Sequence, residues 1–378
     1  MVVVLLLNAV QLKASIDLDV RIFSGYSLTS LDVTPIIGKY SIYNNDVMMS
    51  NVLKEETLHI VIERDSIKVT KGGEVLGMFE TLTLTGEGLI NSFRIKPYGA
   101  NVKEREYDDG LMLAVQGGNL LIINHVNVEH YVAGVVQAEG GGSVKEDEFY
   151  IVQAICCRTY ALNNARKHAK EGFNLCDDVH CQAYLGRCRN PDIQTAVSKT
   201  ANDVIVDQNG KMISAAFHSN SGGETMNSED VWTIATPYLK SVEDPFSLGM
   251  PNATWEKVMP VEEWLSYLNK RFNYPIQNDD KKELALNFYQ DHRQAYFRDS
   301  IRLTEIRADL GLRSTFFDIV KRGDEVVFKG RGYGHGVGLS QEGAIEMARQ
   351  GYNYRDIIKF YYKNVEIMSY EQVMIMNY

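Results

Sequence analysis

One carboxylate lies on the apolar face of a predicted helix. Val128, Val132, Val135, Val136 and Glu139 follow one another at intervals of three or four residues, or side by side, and share one helical face. On that face Glu139 would lose part of its hydration, and desolvation raises the pKa of a carboxyl group. Such a group can act as a general acid near neutral pH. The alternative is that Glu139, which precedes three glycines, turns outward where the helix frays.

Two cysteines and two histidines form a second candidate site, in the segment KHAKEGFNLCDDVHC. They are His168, Cys176, His180 and Cys181. Two thiolates and two imidazoles complete the tetrahedral ligand set of zinc, and four protein ligands would make the metal structural. The alternative is a disulfide between Cys176 and Cys181, as an exported protein could contain, with both histidines simply exposed.

Polar side chains fill a predicted turn after an apolar strand, in the segment AFHSNSGGE. The turn combines the imidazole of His218 with the hydroxyl groups of Ser219 and Ser221. It lacks the G-x-S-x-G pattern of a serine nucleophile. An Asn/Ser/Gly turn is an ordinary structural feature, but the same groups are suited to holding sugar hydroxyls.

Glycine alternates with larger residues in the stretch GRGYGHGVGLSQEGA. In an extended segment this pattern strips one face to main chain, so that a polymer or another strand can approach it. The other face presents Tyr333 and His335, and Ser340 and Gln341 follow at a predicted helix start with free amides. Leu339 replaces the last glycine of G-x-G-x-x-G, which excludes a nucleotide site. His335 is either a packing histidine or part of a carbohydrate groove.

The elements that must position these residues predict an α+β fold. Short alternating runs such as LHIVIE and TLTLTGEG predict a β-rich N-terminal lobe over residues 16–120, with hairpins at 71–73 and 117–118. Residues 121–378 are predicted to form a catalytic domain with a central helical segment and a β-rich C-terminal part. In that domain we predict helices over 128–139, from a capping box at 143–146 to about 170, in an insertion over about 261–309, and from 341 to about 351.

The composition is that of a folded globular protein, with 45% hydrophobic and 23% charged residues. A formal charge of -10 disfavours nucleic acid as a partner. No run reaches the roughly 18 apolar residues of a membrane helix. The first fifteen residues, MVVVLLLNAVQLKAS, are predicted to be a secretory leader, with a buried first strand as the alternative. The protein is therefore expected to be exported, and peripheral to a membrane at most.

Several segments, taken in order, resemble the stage II sporulation protein D family, also described as amidase-enhancer-like. The matching segments run from about residue 130 to the C-terminus, and residues 261–309 match weakly. They are HYVAGVVQAE, QAICCRTYAL, KHAKEGFNLCDDVHCQAYLG, AFHSNSGGET followed by VW, PYLKSVEDP, GLRSTFF, GRGYGHGVGLSQEGA and YY at 361–362. Each segment is modest alone, and the ordered set is specific.

The resemblance implies a lytic transglycosylase of peptidoglycan. Such an enzyme cleaves the linkage between N-acetylmuramic acid and N-acetylglucosamine in peptide-stripped strands and leaves 1,6-anhydro ends. The resemblance makes Glu139 the general acid and assigns the cysteine and histidine cluster to zinc. One departure is Gly140-Gly141-Gly142 where the family commonly has Met-Pro. The residues expected to bind the glycan are Arg158, His218, Ser219, Ser221, Tyr333, His335, Ser340 and Gln341.

Two other functions share parts of this pattern. A non-catalytic glycan-binding module that activates a cell-wall amidase would use the same groove residues. A zinc hydrolase would use the cysteine and histidine cluster with an open ligand position. The expected partners are glycan strands of the cell envelope and, for the module, an amidase.

Overall fold

A computed structural model describes residues 16–99, 101–140, 144–298 and 300–376. They form two compact units, one of residues up to Ala138 with Asn164–Arg189, the other of Glu139–Asn163 with the residues from Asn190 onward. The predicted leader at 1–15 and the start of the predicted capping box at 143 lie outside the described residues. The fold is α+β, as predicted.

A mostly antiparallel sheet dominates the first unit. Hydrophobic residues alternate along its strands, so that one residue in two is buried, as Leu31 and Val33 are. The predicted hairpins are present, and Gly117 and Gly118 adopt φ values of +58° and +76° that suit a tight two-residue turn. The strands in the described residues are β1 (Asp17–Arg21), β2 (Ser30–Asn44), β3 (Val47–Val52), β4 (Leu58–Glu63), β5 (Ser66–Lys71), β6 (Glu74–Phe79), β7 (Thr81–Pro97), β8 (Arg105–Asp108), β9 (Gly110–Gln116), β10 (Asn119–Asn127) and β11 (Leu175–Cys176).

The order along this sheet is β11-β1-β10-β9-β7-β2-β4-β5-β6, with β3 beside β2 and β8 beside β7. The short strand β11 pairs in parallel with β1, through Val20 with Leu175 and Arg21 with Cys176. This pairing anchors the predicted metal segment to the edge of the sheet. The strand pairing therefore fixes the position of Cys176 without any contribution from a metal ion.

Helix α1 (Val128–Gly140) follows β10 directly and confirms the predicted valine face. Its four valines are 0–2% exposed. At Gly134 an added Cβ would lie 2.4 Å from the carbonyl oxygen of Gly186, so the 184–186 segment packs directly on the helix backbone. The helix ends at Gly140, consistent with the low helix propensity of glycine.

Helix α2 (Asp147–Asn163) opens the second unit and is buried on almost every side. It ends at Asn163, so the prediction that it continues to about residue 170 was wrong. Asparagine side chains bond backbone groups outside helices, and that of Asn163 donates to the carbonyl oxygen of Ile213. The other helices of this unit are α3 (Pro191–Lys199), α4 (Ser228–Trp232), α5 (Val261–Phe272), α6 (Asp279–Leu286), α7 (Leu303–Leu310), α8 (Gln341–Arg349), α9 (Tyr354–Tyr361) and α10 (Tyr370–Met376).

Small sheets complete the second unit. They pair in the orders β12-β21, β13-β20, β14-β19-β18-β15 and β16-β17. The strands are β12 (Asp203–Val206), β13 (Phe217–His218), β14 (Thr254–Pro260), β15 (Asn287–Phe288), β16 (Tyr296–Phe297), β17 (Ile301–Arg302), β18 (Phe317–Arg322), β19 (Glu325–Arg331), β20 (Leu339–Ser340) and β21 (Glu366–Ser369).

The insertion over residues 261–309 has its own apolar core with the β14-β19-β18-β15 sheet. Trp264 is fully buried there, with the rings of Phe297 and Phe328 edge-on at 5.7 and 5.2 Å. The predicted helix VEEWLSYLNKRF is α5. The second predicted helix, KKELALNFYQDH, stops at Leu286 because Phe288 enters the core as part of a strand. None of the helices in the described residues is long and apolar enough to span a membrane.

Candidate active site and metal centre

Glu139 lies in the last turn of α1 and is half-buried. The residue that follows it, Gly140, faces the ring of Phe149, where an added Cβ would lie at 3.4 Å. Glu139 is also close to α2. Burial raises the pKa of the Cys157 thiol well above its usual value, and the charge of Glu139 raises it further. The carboxylate therefore lies at the rim of an apolar region and keeps some access to water.

The glycine-rich stretch is not the continuous extended strand that the alternation predicts. Four of its glycines have left-handed backbones, with φ values of +76° at 332, +111° at 334, +83° at 336 and +71° at 338. The protein's own atoms occupy the space that a Cβ would need. The nearest are a ring carbon of Trp255 at Gly330, the oxygen of Asn220 at Gly332, the Cβ of His218 at Gly334, the guanidinium of Arg293 at Gly336 and the oxygen of Ala216 at Gly338. The bare main chain therefore packs against protein.

The glycine stretch also lies close to the 218–224 turn. The backbones of Asn220 and Tyr333 exchange hydrogen bonds of 3.0 and 2.8 Å. Between them, an added Cβ on Gly332 would lie 2.5 Å from the oxygen of Asn220. The two segments thus depend on the absence of a side chain at this position.

The variant Gly332→Ala is therefore expected to destabilise the second unit by more than about 3 kcal/mol, because a steric clash adds to the left-handed backbone penalty. Gly323→Ala is the matched control, since Gly323 also has a positive φ, of +64°, but open space around it. The control should lose only about 1 kcal/mol. Urea titrations of the two variants check this, and equal losses would contradict it.

The two histidines of these segments pack together, with ring centroids 5.4 Å apart. His335 donates from Nε2 to the oxygen of Phe217 at 2.9 Å and accepts from the Val337 amide at Nδ1, at 3.1 Å. His218 donates from Nδ1 to the oxygen of Val337 at 3.2 Å, and its buried Nε2 has no hydrogen-bond partner among the residues that the structure describes. Both nitrogens of His335 therefore bond to backbone, which favours the packing alternative for this residue.

Burial keeps both imidazoles neutral. It lowers the pKa of His335 to about 4 from 6.5 and that of His218 well below 6.5. The unfolded chain therefore binds protons that the folded chain does not, and stability is lost as the pH falls from about 6.5 to about 4. Neither histidine is suited to proton transfer near neutral pH.

We expect the variant His335→Gln to show a weaker dependence of stability on pH than the parent. Between pH 7 and pH 5 the parent should lose up to about 2 kcal/mol more unfolding free energy than the variant. Comparing the two proteins cancels the titrating groups that do not interact with His335. Loss of His335 also removes one cause of the low pKa of His218, which changes the difference in the same direction. Urea titrations at the two pH values check this, and parallel losses in both proteins would contradict it.

Two aromatic side chains are exposed beside His335. Trp232, the last residue of α4, lies with its ring centroid 5.2 Å from that of His335 and is 41% exposed. Tyr333 is 44% exposed and has the guanidinium of Arg313 5.5 Å from its ring centroid. We call this region the Trp232–Tyr333 surface. Sequence reasoning missed Trp232, whose only signal is the dipeptide VW in a segment of no clear periodicity.

Two of the predicted binding serines lie inside the unit. Ser221 is fully buried and donates to Asp244 Oδ2 at 2.7 Å. Ser340 is the N-cap of α8, where its hydroxyl accepts from the amides of Gly343 and Ser221, both at 3.2 Å. Burial raises the pKa of Asp244. These residues form a polar network that holds the turn to the start of α8, and their hydroxyl groups are engaged in internal hydrogen bonds.

The remaining predicted binding residues separate by exposure. Arg158 is fully buried and donates to the carbonyl oxygens of Asp203 and Val197, at 3.1 and 3.3 Å. This buried position favours a structural role for Arg158 over the predicted contact with the glycan. Ser219 and Gln341 are half-buried, and the Ser219 hydroxyl accepts from Asn252 at 3.4 Å. These two side chains remain candidates for ligand contact.

The structure brings His168, Cys176, His180 and Cys181 together, with one potential ligand atom of each within 4.8 Å of the others. Cys181 Sγ lies 3.5 Å from His168 Nε2, and His180 Nδ1 lies 3.8 and 3.9 Å from the sulfur atoms of Cys176 and Cys181. Ligands of a tetrahedral zinc ion are separated by about 3.3 to 3.8 Å. The donor set and its spacing therefore fit such an ion, and all five cysteines are free thiols rather than disulfides.

Neighbouring groups support the same arrangement. Nδ1 of His168 lies 2.6 Å from Glu171 Oε1, which leaves Nε2 toward the sulfur atoms. Carboxylates commonly orient metal-binding histidines in this way. Burial raises the pKa of Cys181 to about 11, so a metal ion would displace a proton on binding. The cluster could hold one metal ion with four protein ligands.

Comparison with known proteins identifies the relatives of the chain. A model of the stage II sporulation protein family matches residues 116–206. The stage II sporulation protein D of Bacillus amyloliquefaciens is 30% identical over 264 residues, which are 65% of this chain and 75% of that protein. The chain belongs to the stage II sporulation protein D family. The resemblance predicted from the motifs is thereby confirmed.

Other relatives extend the comparison. An uncharacterized protein of Brachyspira hyodysenteriae is 29% identical over 352 residues, or 89% of this chain and 90% of that protein. The amidase enhancer of Bacillus subtilis is 27% identical over 271 residues, but these are only 37% of that protein. In this member of the stage II sporulation protein D family, the segment that the family model matches contains Glu139 and the four residues of the metal cluster.

Proposed function

We propose that the protein is a lytic transglycosylase that cleaves peptidoglycan between N-acetylmuramic acid and N-acetylglucosamine in peptide-stripped strands. The observation that carries this proposal is the half-buried carboxylate of Glu139, within the segment matched by the family model. Hydrolysis of a glycoside normally needs two carboxyl groups. Lytic cleavage needs one, because the substrate's own hydroxyl replaces water.

Glu139 acts first as an acid and then as a base in this mechanism. Its carboxyl proton passes to the glycosidic oxygen as the bond from C1 of the muramic residue breaks. The resulting carboxylate then takes the proton of the 6-hydroxyl group, whose oxygen bonds to C1 and closes the 1,6-anhydro ring. The rim position supports this cycle, because the C-terminal end of a helix disfavours a carboxylate charge while partial exposure leaves room for substrate.

The Trp232–Tyr333 surface supplies sugar contacts in the proposal. Exposed aromatic rings stack on the apolar faces of sugars. The ring of Trp232 is exposed and contacts the imidazole of His335, with ring centroids 5.2 Å apart. The side chains of Ser219 and Gln341 supply polar contacts. His335 then contributes through packing, because its nitrogens already bond to the backbone.

The metal cluster is proposed to hold a structural zinc ion. His168, Cys176, His180 and Cys181 would supply all four ligands, and a closed ligand set leaves no position for a reacting water. A zinc ion bound there would therefore have a structural role and would link different parts of the 164–189 segment to one another. This argues against the zinc hydrolase alternative.

The products of the reaction test the proposal. The parent protein is incubated with glycan strands that an amidase has stripped of peptides, and the products are analysed by mass spectrometry. We expect muramic ends that are 18 Da lighter than hydrolytic ends, because water is lost when the 1,6-anhydro ring closes. Ends of hydrolytic mass, or no new ends, would overturn the proposal.

A second candidate is a glycan-binding activator of a cell-wall amidase. The similarity to the amidase enhancer favours it, and so does the departure of this sequence from the Met-Pro that commonly follows the glutamate in the family. This function predicts binding of strands without new ends, together with faster peptide release by an added amidase. Both candidates place the protein in the cell envelope or outside the cell, at most peripheral to a membrane.

A further inference from the structure

Arg307 is a half-buried cation without a partner in the described part of the chain. It lies in α7, and burial lowers the pKa of its guanidinium. Its Nε atom is buried and has no hydrogen-bond acceptor. The other arginines of the insertion differ, because each donates to a carboxylate or carbonyl oxygen: Arg271 to Asp309, Arg293 to Glu224 and Ser221, Arg298 to Leu284, and Arg302 to Asp230.

An uncompensated charge of this kind is costly. Removing one partner from a buried ion pair destabilises a protein, because a lone charge is left behind. Unsatisfied buried groups in native proteins therefore call for a functional explanation. A ligand that supplies an anion would provide the missing partner for Arg307.

Arg307 is close enough to the Trp232–Tyr333 surface to interact electrostatically with Tyr333 and His335. After burial, which has the larger effect, its charge helps to lower the pKa values of His335 and His218, and it interacts with the phenol of Tyr333. The exposed guanidinium of Arg313 lies over the ring of Tyr333, 5.5 Å from the ring centroid. Two guanidinium groups therefore neighbour one exposed phenol, in a protein whose formal charge is -10.

We propose that Arg307 binds the carboxylate of the lactyl group that N-acetylmuramic acid exposes once its peptide has been removed. This inference rests on the proposed function and identifies a specificity residue for it. While the peptide is attached, the same carbon belongs to an uncharged amide. A guanidinium pairs with a carboxylate by charge-assisted hydrogen bonds that an amide cannot replace. Arg307 therefore favours stripped strands over peptide-bearing ones.

The test compares two chemical forms of one ligand. Stripped oligosaccharides are used either with free lactyl carboxyl groups or after conversion of these groups to methylamides. Binding is measured by calorimetry in the background of Glu139→Gln, so that cleavage does not interfere. With Arg307 present, the free acid should bind about 10- to 100-fold more tightly than the methylamide. With Arg307→Gln added, the two forms should bind within about twofold of each other.

Arg322→Gln serves as the matched control, because Arg322 is an exposed arginine of the same unit in the β18–β19 hairpin. It should retain the full preference for the free acid. Arg307→Gln should also melt no lower than the parent, since no partner of Arg307 is lost.

Two outcomes would overturn the inference. One leaves the proposed function intact, and the other overturns it as well. If Arg307→Gln keeps the parent's preference, or the parent shows none, Arg307 does not read the carboxylate, while glycan binding stands. If neither form binds to any of the proteins, the proposed function fails together with the inference.

Discussion

Replacing Glu139 with glutamine is expected to lower the rate of 1,6-anhydro end formation by at least about 10²- to 10⁴-fold, the range of general acid–base catalysis. The carboxamide has nearly the same shape but carries no transferable proton. It also cannot take the proton of the 6-hydroxyl group, so that both halves of the proposed mechanism fail. Mass spectrometry of the products from stripped strands measures the effect.

Glu129→Gln is the matched control for this experiment, because Glu129 lies in the first turn of the same helix. The control should keep the parent's rate, and both variants should bind stripped strands as the parent does. Equal rates for Glu139→Gln and the parent would remove the acid from the mechanism. Absence of product from the parent itself would leave the amidase activator as the better explanation.

The second large effect is expected at the metal cluster. Cys176→Ser and Cys181→Ser should each reduce the zinc content from about one equivalent to almost none, because a structural site needs all four ligands. A ligand present at about a thousand times its Kd stabilises the folded state by about 4 kcal/mol. The variants should therefore unfold at a lower temperature than the parent, and a chelator should have the same effect on the parent alone.

Cys188→Ser provides the control, since Cys188 is a buried cysteine of the same unit that lies outside the cluster. It should keep its zinc and its response to the chelator. Elemental analysis and thermal unfolding give the two readouts. A parent protein that is purified with no zinc and melts equally with and without a chelator would refute the metal site, as would a disulfide between Cys176 and Cys181.

Local patterns were enough to predict several elements. The valine spacing predicted α1 because a helical face depends only on residues three and four positions apart. The proximity of His168, Cys176, His180 and Cys181 was predicted because all four lie within 168–181, so a short loop brings them together. The hairpins of the N-terminal lobe followed from glycine pairs for the same reason.

Long-range contacts decided what the local patterns could not. The alternating glycines predicted an extended strand, but several of them have left-handed backbones and pack against segments far away in the chain, such as the 218–224 turn. Long-range hydrogen bonds also engage side chains that were predicted to bind a ligand. His335 Nε2 bonds to the oxygen of Phe217, and the hydroxyl of Ser221 bonds to Asp244. A residue's type shows which bonds it can make, whereas its partners depend on what the fold places beside it.

The sequence by itself determined the family, the α+β class, the helix that ends near Glu139 and the grouping of two cysteines with two histidines, because residue type and short spacing suffice for each. Only the tertiary structure decided that Trp232 is exposed, that Arg158 is buried and that Arg307 lacks a partner. Exposure and unsatisfied charge are properties of the packed molecule. They arise when distant segments exclude water from one side chain and leave another uncovered.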